Sequence, residues 1–273
     1  MKQSTILYHY TDADGLLGII EDKQLWATSI LHLNDSQEFN YLRESALKYL
    51  KRCLREKGRE LFHMDNFAKV ARAIKPQRFV FCLSKHGDRL SQWRGYCPKG
   101  GGYSIGFPKS SFPTSVGRGR KIVFKCQYGM TGEDAKRTLR VIGDPLVDAI
   151  RRSCNTSKAE RESYLVGPVS NFLDGVGKHA HRFKHPKFIE EHEWRVVFNS
   201  PTPPASVKYR VTQLGIVPYI EVPFSKTEPL PISEIIVGPT REPDLAENTI
   251  RGFLAQHGLS HVSVNISKIP YRT

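Results

Sequence analysis

No run of about 18 apolar residues occurs anywhere in the chain, so the sequence offers no membrane-spanning helix. The opening segment MKQSTILYHYTD has no apolar stretch long enough for the core of a signal peptide. Cysteine is sparse: Cys53, Cys82, Cys97, Cys126 and Cys154 are five, an odd number with no C-x-x-C spacing. That pattern points away from a disulfide scaffold and from a zinc-finger site, and towards the reducing cytoplasm. A G-x-S-x-G elbow is missing, so the hydrolase triads it serves are set aside. Gly100 to Gly102 precede a strand and lack the G-K-[ST] of a phosphate loop, which leaves a turn as their reading. With no internal repeat and no sharp linker, residues 1–273 read as a single domain.

Acidic residues are also in deficit, 27 Asp+Glu against 41 Lys+Arg, giving a net charge of +14. Such an excess favours polyanionic partners, and nucleic acid (RNA or DNA) is the partner it predicts. Basic residues gather at Leu50 to Glu60, Gly117 to Lys121, Lys136 to Arg140 and Lys178 to Lys187. Each cluster has a plainer reading as a solvated helix face or loop. His179, His181 and His185 in HAHRFKH lack a carboxylate or cysteine at ligand spacing, so no metal is assigned and a basic surface segment is expected.

Periodicity organises the rest. ILYHY, LWATS, RFVFCLS, YSIGF, KIVFKCQY, EWRVVF, VKYRV, YIEVPF, ISEIIVGP and HVSVNI read as strands. Phe39, Leu42, Ala46, Leu47, Leu50 and Leu54 recur at helical spacing over Asp35 to Lys57, with Asn34 and Asp35 as its cap. Further helices are predicted over Phe62 to Ile74, Gly132 to Cys154, Lys158 to Gly177 and Asp244 to His257, with a short one after Thr11. The pattern is α+β, a helical block lying between early and late sheet segments.

FIEEHEWRVVF raises a sharper question, because Glu190, Glu191 and Glu193 open an otherwise apolar strand. Alternation puts Glu191, Glu193, Arg195 and Val197 on one side and His192, Trp194, Val196 and Phe198 on the other. The bland reading is a solvated Glu/Arg ladder. Other motifs accompany it in order: LYHYT, LWATSILHLNDSQEF, FCLS, SQWRGY and GYSIGF. Over Leu7 to Thr240 this series resembles the bacterial family called domain of unknown function 2971. That family in turn is similar to distant members of the ADP-ribosyltransferase superfold, which implies a split, twisted sheet with a helical insertion.

The resemblance also implies chemistry. NAD would be a substrate, and ADP-ribose would pass to a macromolecular acceptor, nucleic acid among the candidates, in a toxin or antiphage effector. Cleaving the nicotinamide–ribose bond develops oxocarbenium charge, which Glu193 would stabilise. Glu191 would orient or deprotonate the acceptor. The first motif supplies His9, Tyr10 and Thr11 to the binding segment, His9 to a ribose hydroxyl, with Tyr10 turned to the opposite side and packing in the core. Ser84 closes the central strand, and Trp93 or Tyr96 would stack on the cationic ring, Trp93 having core packing as its plainer role. Two rivals stand beside this reading: a nucleic-acid-binding module without catalysis, and an NAD glycohydrolase with water as acceptor.

Overall fold

The computed structural model describes residues 5–33, 38–55, 67–68, 71, 78–97, 101–112, 122–199, 206–212, 215–224 and 230–270. In chain order its elements are β1 (Ile6–Thr11), α1 (Ala13–Glu21), β2 (Gln24–Ser29), α2 (Glu38–Arg55), β3 (Arg78–Ser84), α3 (Leu90–Tyr96) and β4 (Tyr103–Pro108). There follow β5 (Val123–Lys125), β6 (Gln127–Tyr128), α4 (Glu133–Arg152), α5 (Lys158–His179), β7 (Phe183–Lys184) and β8 (Glu193–Asn199). The last are β9 (Lys208–Thr212), β10 (Gly215–Pro223), β11 (Glu234–Val237), α6 (Pro243–Gln256) and β12 (Ser263–Ile266). The mixture of helices with a mixed sheet is α+β, as the periodicity predicts. Asn34, Asp35 and most of the helix expected over Phe62 to Ile74 lie outside the described residues. The chain divides into two compact units, residues 1–29, 78–125 and 189–273 in one, 30–77 and 126–188 in the other.

The first unit is built on a 10-stranded sheet in the order β12-β11-β4-β1-β3-β2-β10-β9, with β8 on β3 and β5 on β8. Every pairing is antiparallel except β11 with β12. Alternation gives the sheet one apolar face: Leu7, Phe79, Phe81, Leu83, Ile105, Phe107, Val196 and Ile235 are buried there in one cluster with Leu16, Ile19 and Ile20 of α1. Asp12 starts α1 by accepting from the Gly15 N–H at 2.8 Å, a cap of about 1 kcal/mol. The sheet has a break in its middle. One edge of β3 receives β2 at Thr28↔Val80 and Ser29↔Phe79 but β1 only at Tyr8↔Ser84, so β1 and β2 diverge along it.

The second unit packs α2, α4 and α5 around Leu42, Leu50, Leu146 and Phe172. A reciprocal capping box between Ser157 and Glu160 starts α5. Two sequence expectations need correction here. KIVFKCQY is not one strand: its described part breaks at buried Cys126, β5 pairing with β8 and β6 running parallel to β7. Nor is HAHRFKH a plain basic surface segment, because His181, Phe183 and Lys184 are buried and the Lys184 ammonium lies 4.8 Å from the Phe188 ring centre. The apolar stem and a cation–π contact are two of the features that let a lysine lie there.

Gly18 shows how closely α1 meets the first unit's sheet. A Cβ at this position would fall 2.6 Å from the Trp26 ring. Gly→Ala inside a helix ordinarily gains about 1 kcal/mol. In Gly18→Ala the overpacking against a rigid indole, about 1–3 kcal/mol, is expected to reverse that gain and lower the melting temperature. A raised melting temperature would show that Trp26 moves aside freely.

Candidate functional site

The break in the sheet forms a small cleft of about 40 Å³, lined by Tyr8, His9, Tyr10, Cys82, Leu83, Ser84, Gln92, Tyr96, Glu191 and Glu193, all in the first unit. Strand register puts several of them on the face opposite the apolar cluster. Ser84 lies across from Glu193 and Cys82 from Arg195, while Tyr8 lies across from Ser84. Directly opposite residues share a face, so these side chains point the same way.

His9 sits where β1 leaves β3. Its ring stacks on Phe81 at 4.2 Å between centres, and Nδ1 is 2.9 Å from the Cys82 carbonyl. A carbonyl can only accept, so Nδ1 carries the proton and neutral His9 keeps Nε2 as an acceptor. Burial, with a smaller effect from the Arg210 charge, pushes its pKa down to about 4 against the lift from Cys82 and Asp12.

The acidic residues reach the cleft by a different route from the one alternation predicts. Glu191 is not on the strand: it ends a 3-10 turn, Pro186–Glu191, and His192 follows with φ of 44° before β8 begins at Glu193. A left-handed residue between them resets the direction of the side chains. The two carboxylates still line one cleft. Ser84 Oγ fixes the turn by donating to the Glu191 carbonyl at 2.8 Å while accepting from the His86 N–H at 3.2 Å. Tyr96 at the end of α3 donates to Glu191 Oε1 at 3.4 Å, a long bond. The rings of His86 and His192 meet edge to face at 4.7 Å beside this turn.

Glu193 is 4 % exposed and Arg195 is fully buried. Arg195 Nε donates to Glu193 Oε1 at 2.8 Å and Nη2 to Oε2 at 2.9 Å, a two-pronged bond along one strand face. The ladder suspected from sequence therefore exists, but it is buried rather than solvated. The fork holds the carboxylate in one orientation beside the cleft.

Of the other expected binding residues, Tyr10 packs in the core through an edge contact with Trp93 at 4.7 Å, and its hydroxyl donates to the His86 carbonyl and accepts from the Arg89 N–H. Trp93 is core as well: it is 3 % exposed, does not line the cleft, and donates from Nε1 to Asp88 at 2.8 Å. Thr11 is buried beside Gly15 and also lies outside the lining. Of the two candidates for stacking on the ring, Tyr96 lines the cleft and Trp93 does not. Sequence reasoning passed over Gln92, Tyr8 and Cys82, although Gln92 lies one position from a motif residue it did single out.

Residues 92–196 match the family model described as Protein of unknown function (DUF2971). The match runs from α3 into β8, including Tyr96, Glu191, Glu193 and Arg195, and is shorter than the span over which the ordered motifs resemble that family. No curated protein and no solved structure matches the chain.

Two measurements follow from this geometry. The His9 pKa, about 4, lies below the ordinary 6.5, so the unfolded chain takes up the proton first as pH falls. The stability contributed by neutral His9 is full above about pH 6.5 and is lost progressively as pH falls towards 4. Urea midpoints at pH 7 and pH 5 are expected to differ less in His9→Gln than in the parent. For the buried pair, Arg195→Met is expected to cost about 3–5 kcal/mol by stranding a carboxylate, and the double change Glu193→Leu with Arg195→Met to recover most of it. Additive losses in a denaturation cycle would show that the two residues act separately.

Proposed function

We propose that the chain cleaves the nicotinamide–ribose bond of NAD and transfers ADP-ribose to a macromolecular acceptor, on a sheet of ADP-ribosyltransferase type. The observation that carries this is the meeting of His9, Ser84, Tyr96, Glu191 and Glu193, drawn from separate elements, at one cleft in a split sheet. In this reading the C–N bond breaks with its electron pair passing to nicotinamide, which leaves neutral. The acceptor attacks the ribose carbon and gives up its proton to Glu191. Glu193, held ready by Arg195, faces the positive charge that develops on the sugar. Preorganised charge of this kind costs no reorganisation when the bond breaks. His9 offers Nε2 as an acceptor for a ribose hydroxyl, and remains neutral at physiological pH.

The cleft's about 40 Å³ holds roughly three waters, so it fits the surroundings of one bond rather than a dinucleotide. The long Tyr96–Glu191 bond is the contact that must open to admit the ring. The acceptor's nature follows from net charge: several cations are already paired with acids, Lys136 with Glu133, Arg151 with Asp148, Lys208 with Glu221 and Arg251 with Glu247. Nucleic acid as acceptor therefore rests on the surplus in the +14 alone. The buried Glu193–Arg195 fork favours a second reading, in which the pair is structural and the chain only binds.

Glu193→Gln separates them. Glutamine keeps an acceptor for Arg195 but leaves its buried charge without a counter-charge from this position, so the melting temperature is expected to fall, while nicotinamide release measured on the folded protein falls about 10²-fold or more. Glu191→Gln is expected to lose transfer of labelled ADP-ribose but retain slow NAD hydrolysis. Release by the Glu193→Gln protein at the parent rate would leave the structural pair as the explanation.

A further inference from the structure

Arg210 of β9 stands on the same sheet face as Ser84 and Glu193, by way of a register that pairs Val217 with Arg210, Tyr219 with Thr28 and Thr28 with Val80. Its guanidinium lies 5.5 Å from the Trp26 ring centre and 5.6 Å from that of Tyr219. Nη2 donates to Thr28 Oγ1 at 2.8 Å. The Arg210 Nε and the neighbouring Trp26 Nε1 are both buried atoms that hydrogen-bond to nothing among the described residues. Both are donors and neither can accept, so each needs an acceptor from outside. The nearby acid Glu221 is already bound to Lys208 at 2.7 Å, and Asp12 spends an oxygen on the α1 cap. Leaving a buried donor unmet is costly, and aromatic faces hold the cation without neutralising it.

We propose that Arg210, held on Trp26 and Tyr219, is an anion subsite that takes the phosphate or pyrophosphate group of a nucleotide beside the cleft. Naming that nucleotide as the substrate rests on the NAD reading above; the anion subsite itself does not. A phosphate supplies several acceptor oxygens and a charge opposite to that of arginine, which suits two unmet donors. Along β3, Val80 beside Thr28 lies four residues from Ser84 beside Glu193, roughly 13 Å at strand rise. A dinucleotide whose ribose is held at Glu193 reaches across that interval. His9 and Asp12 both lie within the field of Arg210.

The test is calorimetric titration with ADP, inorganic pyrophosphate and adenosine. ADP and pyrophosphate are expected to bind the parent protein, ADP about tenfold or more tighter than adenosine. Arg210→Gln is expected to weaken ADP by about tenfold or more, and Arg210→Lys to weaken it less, keeping charge but losing the planar fork. Asp12→Asn supplies an independent arm, because asparagine caps a helix as well as aspartate does but removes a negative charge near the bound anion. It is expected to tighten ADP severalfold, an effect that persists even if Arg210→Gln unfolds. Failure of the parent to bind ADP and pyrophosphate, or equal binding by a folded Arg210→Gln protein, overturns the subsite. Nicotinamide release that depends on Glu193, with ADP indifferent to Arg210, keeps the NAD reading and removes the subsite. Binding lost in Arg210→Gln with no nicotinamide release by the parent keeps the subsite and removes the NAD reading.

Discussion

One hydrogen bond governs the architecture of the site: the donation from His9 Nδ1 to the Cys82 carbonyl. β1 and β3 share a single registered pair among the described residues, Tyr8↔Ser84, and part from one another beyond it. A sheet opened this way leaves peptide groups to be satisfied by something else, or to be paid for. The imidazole does so with one nitrogen while its face rests on Phe81. Holding the ring neutral is what makes the arrangement work, since a charged imidazole stacked against that phenyl would carry the desolvation penalty that already drives its pKa down. The gap stays open, and the cleft exists because of it.

The Glu193–Arg195 fork imposes the second constraint. Burying both charges costs several kcal/mol before their attraction is counted, and two short bonds recover it only when geometry is good. An apolar pair would serve a sheet better. What the fork supplies instead is a carboxylate of fixed direction at a cleft, with its neighbour Glu191 carried on a separate turn. Strand alternation would have set the two acids at the same height and locked them together. The left-handed residue His192 uncouples them, and such a conformation in a residue other than glycine is a local cost tolerated where a side chain must be aimed.

Much of the fold was legible because its signals are local. β1, β2, β3, β4 and β8 follow period-two alternation, and α4, α5 and α6 follow helical spacing, so their bounds fall within a few residues of expectation. The cleft residues His9, Ser84, Tyr96, Glu191 and Glu193 were legible through motifs rather than spacing. What sequence could not show was set by tertiary contact. Trp93 reads either as a ring-stacking residue or as core, and only its contacts with Tyr10 and Asp88 decide for the core. KIVFKCQY has one continuous β pattern, and only partner availability splits it between two sheets at Cys126. Arg210 sits in an ordinary strand, VKYRV, and gains its character from Trp26, distant in sequence, and from Tyr219 on the paired strand.

Charge is distributed unevenly along this sheet face, and that asymmetry bears on what the face can recognise. At one end the cleft carries Glu191 and Glu193, the second of them forked to buried Arg195, with His9 uncharged. At the other, Arg210 lies on aromatic rings with no carboxylate at ion-pair distance among the described residues. A molecule that is cationic at one end and anionic at the other would align along the gradient in one direction only. Reversal would set its phosphates against two carboxylates, a like-charge contact costing several kcal/mol. NAD, the substrate in the proposed reading, has that polarity, with a pyridinium ring at one end and a pyrophosphate in its middle. A simple nucleic-acid-binding face would need neither the acids nor the neutral histidine, and the +14 of the chain would then be placed elsewhere than across the split.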